Sequence, residues 1–222
     1  MIWVMDYCLN QEISLNFPLV DREDSMASYL CAFTAPDEHI NFLLNNPDHL
    51  FSYVEGELPK LPKVKQSLLE RLFGRPTQLS NRIPKNWPSS EVEMIGPVIH
   101  HRNVDLHHWI LNGQQEFVSG SGTIFQTWLM NKQEADHAAL DIGGDNENFA
   151  FLSNQIPELF DLVKKVNEKQ IREILSAWFE FNGKNEPPTN HECEEITNEY
   201  QMFAMKLAEG IENEKGLIWI IC

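Results

Sequence analysis

One short stretch concentrates residues that bind metals or move protons: His100, His101, Asp105, His107 and His108. On an uninterrupted helix His101, Asp105 and His108 would share one face at i, i+4 and i+7. Imidazoles beside a carboxylate suit zinc, manganese or iron, and such a face would support a metal-assisted hydrolase. The same residues leave a second reading open. Pro97, followed by Val98 and Ile99, places His100 and His101 ahead of the helix, and the face is then not formed. A histidine in that setting is more often a core or a hydrogen-bonded residue than a metal ligand. His108, followed by Trp109, Ile110 and Leu111, is expected to be buried. His137 and Asp141 form another i, i+4 pair next to Gly143 and Gly144.

Other catalytic patterns are missing. The sequence has no G-x-x-x-x-G-K-[ST] phosphate loop, and Gly120-Ser-Gly122 lacks the third glycine and the preceding strand of a dinucleotide loop. Ser121 has the wrong spacing for a nucleophile elbow. His191-Glu192 opens like H-E-x-x-H, but Glu195 stands where the second metal-binding histidine would be. No segment offers four nitrogen or sulfur ligands at structural zinc spacing, so neither a metal nor another cofactor is expected. The four cysteines, Cys8, Cys31, Cys193 and Cys222, form no C-x-x-C pair and suit reduced thiols.

Charge narrows the partners. The chain has 33 acidic against 17 basic residues, a formal net charge of −16. That field repels nucleic acid and anionic membrane surfaces and attracts basic proteins. Met1 to Met5 is apolar but lacks a basic leader and meets Asp6 at once, so it is a poor signal peptide. No apolar run reaches membrane-spanning length. A cytoplasmic location is expected.

Periodicity predicts an α+β fold: a small mixed sheet, including the N- and C-terminal strands, packed against several helices. Residues 1–25 read as an extension and 26–222 as one domain. Met26–Thr34 is an apolar strand, and a helix starting at Pro36 carries Asp37 and Glu38 in its first turn. Residues 60–88 form a proline-rich insert with seven basic residues between Lys60 and Lys85 against one acid, Glu70. This stripe is either a solvated face or a contact for an acidic partner. A helix is expected over Asn103–Leu111, stopped by Asn112-Gly113. Ser153 would cap a helix bearing Ile156, Leu159, Phe160 and Val163 on one face, and a second helix follows from Glu168. Thr189 or Asn190 would cap a long helix whose buried stripe is Ile196, Tyr200, Phe203, Leu207 and Ile211. Leu217–Ile221 is apolar throughout, as in a strand covered on both faces.

Several of these segments resemble one family. Leu106–Gly113 resembles the L-H-Y-L-L-T-G stretch of the YfbM-like bacterial proteins of unknown function, with His108 in place of the family histidine and Gly113 in place of its glycine. Asn112 stands where the family has threonine. Ala138–Gly144 is similar to the family's double-glycine segment, Phe151–Ser153 and the two helices after it to its strand and helix pair, Gly216–Ile221 to its closing strand, and Met26–Leu44 to its opening strand and helix. The resemblance runs in pieces from Met26 to Cys222; residues 1–25 and 60–88 depart from it. It implies an α+β fold and no settled activity.

The long acidic helix carries the remaining candidates. Glu192, Glu194, Glu195, Glu199, Glu209, Glu212 and Glu214 lie opposite its apolar stripe and are expected to face solvent. Together with the acidic surplus and the missing catalytic motifs, they point to a non-enzymatic binding protein. Its most concrete form is a bacterial immunity protein that neutralises a basic toxin. The alternatives are the hydrolase built on His101, Asp105 and His108, and a structural domain.

Overall fold

The computed structural model describes residues 29–60, 82–100, 103–113, 140–143 and 148–221. Its centre is strand β5, Lys215–Ile221. On one side β5 pairs antiparallel with β1, Tyr29–Pro36. On the other it pairs antiparallel with β4, Phe149–Phe151. Strand β2, Met94–His100, joins the outer side of β1, and β3, Leu140–Asp141, joins β4. The order β2-β1-β5-β4-β3 is therefore antiparallel at every described pairing. The α+β class and the placement of the first and last strands in the sheet agree with the sequence. The mixed sheet does not, because no described crossover brings two strands in parallel.

β5 alternates across two apolar layers, as a strand buried on both faces must. Leu217 and Trp219 face one core, Ile218 and Ile220 the other. The first core is closed by helices α3 (Val104–Asn112), α4 (Ile156–Val163), α5 (Glu168–Phe181) and α6 (Asn190–Glu212). The second is closed by α1 (Asp37–Asn45), a 3-10 turn at Pro47–His49, and α2 (Leu50–Val54), with Trp87 packed among them. The protein is thus a sheet between a large and a small helical layer.

Local chemistry explains the helix ends. At α5 the Asn167 side chain accepts from the Gln170 backbone NH. At α6 Thr189 accepts from the Glu192 NH while the Glu192 carboxylate accepts from the Thr189 NH, at 3.2 and 2.7 Å, a reciprocal cap that satisfies two otherwise orphaned donors. α3 ends at Gly113 with φ of 69°. Ser153 departs from its expected capping role. It opens a 3-10 turn ahead of α4, and its NH and hydroxyl both donate to Asp37, at 2.8 Å each. The first-turn carboxylate of α1 thereby ties the small layer to the start of the large one.

β2 was not legible as a strand, because Pro97 argues against one. The proline is tolerated at the sheet edge, where its missing NH breaks no inner ladder. Gly96 has φ of +80°, and a Cβ there would lie 2.6 Å from the Phe203 ring. The β1–β2 register shifts at this point, between Leu30 and Ala32. The irregular edge lets α6 approach the sheet closely.

Candidate functional site

The histidine cluster is divided between two elements. β2 ends at His100 and α3 starts at Val104. His101, His137 and the side chain of Asp105 lie outside the described residues. His100 packs edge-on against Tyr29, with centroids 5.1 Å apart. His107 and His108 are buried on α3, so the expected burial of His108 is met. His107 Nδ1 lies 2.8 Å from the Tyr200 hydroxyl of α6. Burial pushes the His107 ring down to about 4, so the ring is neutral at neutral pH. Burial, and then the charge of Glu199, push the Tyr200 hydroxyl far above the ordinary range. The pair is a neutral polar bond joining α3 to α6 inside an apolar core. Asp141 is exposed and accepts from the Gly143 NH at 2.9 Å, a local turn. Among the described residues no group of three or more His, Cys, Asp or Glu is placed to hold a metal ion, and no helix is long and apolar enough to cross a membrane.

The acidic candidates differ in setting, and Glu214 lies beyond the end of α6, with φ of 50°. Glu194, Glu209, Glu212 and Glu214 are exposed, whereas Glu192, Glu195 and Glu199 are half-buried. Glu192 is held in the cap described above. Glu195 pairs with His191 at 3.4 Å. Burial, and then the charge of Glu195, raise the Glu199 carboxyl to about 7. On the outward face, between Glu194 and Glu209, stand Met202 and Met205, 64% and 66% exposed. Their helical phase relative to Phe203 and Leu207 is the sequence signal that separates these two methionines from the buried stripe.

Glu199 and His107 oppose each other in acid. The folded state holds the Glu199 proton more tightly than the unfolded chain does, so this contribution is full below about 4.5 and is lost as pH rises towards about 7. His107 runs the other way. Its contribution is full above about 6.5 and is lost as pH falls towards about 4. Glu199→Gln should therefore stabilise the protein by about 2 kcal/mol at pH 8 and by almost nothing at pH 4.5. Urea unfolding of both proteins across that range measures the difference, and a pH-independent difference would refute the assignment.

A cleft of about 490 Å³ opens where the C-terminal half of α6 meets β1, β2 and the segment through Asn86 and Pro88. Lys206 and Lys215 supply its cations, Glu93 and Glu209 its carboxylates, and the His39–Tyr53 pair part of its wall. Lys206 lies 3.2 Å from Glu93 and 3.4 Å from Glu209. The site was not visible in sequence, because its residues come from four separated segments.

No family model matches the sequence, and no curated protein matches it. Among solved structures the chain is similar to the crystal structure of YfbM from Escherichia coli, a protein of unknown function. The two are 11% identical, the match covers 89% of this chain and 100% of that one, and the TM-score is 0.45.

Proposed function

We propose that the protein is a non-enzymatic, cytoplasmic binding protein whose acidic α6 face takes a basic protein partner, most concretely an immunity protein that neutralises a basic toxin. The observation that carries this reading is the exposed pair Met202 and Met205 among the carboxylates of α6. A face that serves solubility alone gains nothing from two exposed thioethers. A recognition face does: methionine is enriched at interface centres, and charges belong at the rim. Glu194, Glu209 and Glu212 stand on the same outward side of the helix and supply that rim.

The division of labour predicts separable kinetics. Rim carboxylates steer encounter, whereas the central thioethers hold the complex. With a basic partner captured at low salt, replacing Glu194, Glu209 and Glu212 by Gln should slow association roughly tenfold and flatten its dependence on ionic strength. Replacing Met202 and Met205 by Gln should leave association unchanged and speed dissociation. Failure to capture any basic partner at low salt, or an association rate indifferent to salt and to the glutamine substitutions, would overturn the proposal.

A further inference from the structure

Gly210 lies buried within α6 and lines the cleft. A glycine inside a helix is a stability loss relative to alanine, so its presence needs a cause. Its backbone does not require glycine, since it is absent from the residues with positive φ. Packing does not require it either. A Cβ would stand 3.8 Å from Thr34 Cγ2 and 3.9 Å from the Lys215 carbonyl oxygen, both ordinary contacts. Thr34 and Lys215 line the same cleft. What the missing methyl preserves is room inside it.

The charges divide that room into two poles. Glu93 and Glu209 share one ammonium, Lys206, which leaves a negative excess. The C-terminal end of α6 adds to it: the helix closes at Asn213 with no base in its last turn, so its carbonyl-end dipole is uncompensated there. Lys215, half-buried, makes no ion pair with any described residue and supplies the positive pole. The His39–Tyr53 pair adds a polar patch to the wall of the same cleft. His39 Nε2 lies 2.8 Å from the Lys85 carbonyl, to which it donates, and Nδ1 lies 3.0 Å from the Tyr53 hydroxyl. The Tyr53 oxygen keeps a lone pair for a ligand donor.

We infer that this cleft binds a small zwitterion, with the ligand ammonium against Glu209 and Glu93 and its carboxylate on Lys215. Free amino acids and dipeptides are the two sources of that chemistry, and the volume falls within the range of small-molecule pockets.

The test is calorimetric titration with glycylglycine and, singly, with the common L-amino acids. At least one probe should saturate with millimolar or tighter affinity, and the better class identifies the source. Acetylating its amine or amidating its carboxylate should weaken binding about tenfold or more. Lys215→Met should weaken the free-carboxylate probe to the same extent and leave the amidated probe unaffected. Gly210→Ala should raise the melting temperature by about 3 °C while abolishing binding, a pair of effects that general destabilisation cannot produce. Absence of saturable binding to every probe, blocked analogues that bind as well as the parent, or a Gly210→Ala protein that binds normally would each overturn the inference.

Discussion

Trp219→Ala is expected to lower the unfolding free energy by about 4 kcal/mol, as removal of a fully enclosed large ring does. Trp219 lies in the middle of β5 with no exposed surface. It pairs with Ala32 on one side and Phe149 on the other. Its ring stacks on Phe149 at 6.4 Å and meets Phe203 of α6 edge-on at 6.0 Å, so one side chain links both inner strand pairings to the long helix. Alanine would remove the transfer free energy of the indole and leave a void that two rigid rings fill poorly. A domain with 5–15 kcal/mol in hand, the usual order of magnitude, would lose a large part of it. Urea unfolding followed by far-UV circular dichroism measures the change. Phe at the same position should recover more than half of the loss; a loss under about 1 kcal/mol for alanine would contradict the described packing.

Gly216→Ala is expected to cost about 3 kcal/mol through the opposite defect, overpacking. A Cβ at Gly216 would lie 2.3 Å from the Phe151 carbonyl oxygen and 2.6 Å from Ile40 Cδ1. Ile40 can rotate, but the Phe151 oxygen belongs to the neighbouring backbone, where β4 pairs with Leu217. Relief therefore requires β4 and β5 to separate at their first pairing. The substitution should shift the unfolding midpoint and raise hydrogen exchange at the amides of 149–151 and 217–219 before the rest of the sheet. Unchanged exchange in those segments would contradict the close approach.

The two residues also mark what the sequence can and cannot disclose. The run from Leu217 to Ile221 announces a central strand because both faces need apolar residues. α5 and α6 are equally legible, since Asn167 and Thr189 are local caps and Ile196, Tyr200, Phe203 and Leu207 repeat at helical period. β2 is not, because Pro97 reads as a strand breaker until its edge position is known. The Ser153 hydroxyl faces a similar ambiguity: cap chemistry is local, but Asp37 competes for it from across the sheet. The histidines marked out a chemically interesting stretch, but not the distant Tyr200 that receives His107. The cleft was invisible because its two poles, Lys215 and the Glu93–Lys206–Glu209 group, become neighbours only when α6 docks on the sheet edge.

That the inner pair of the sheet joins Leu30 to Ile221 and Pro36 to Lys215 has a kinetic consequence. Those contacts close almost the longest loop the described chain contains, so the entropy of closure must be met before the most apolar pairing rewards it. During synthesis the helices of the larger layer emerge and can associate by near-neighbour contacts first. β1 meanwhile waits with an unpaired, apolar edge until β5 leaves the ribosome. The interval before that last strand arrives is when the chain is most open to aggregation and most in need of a chaperone.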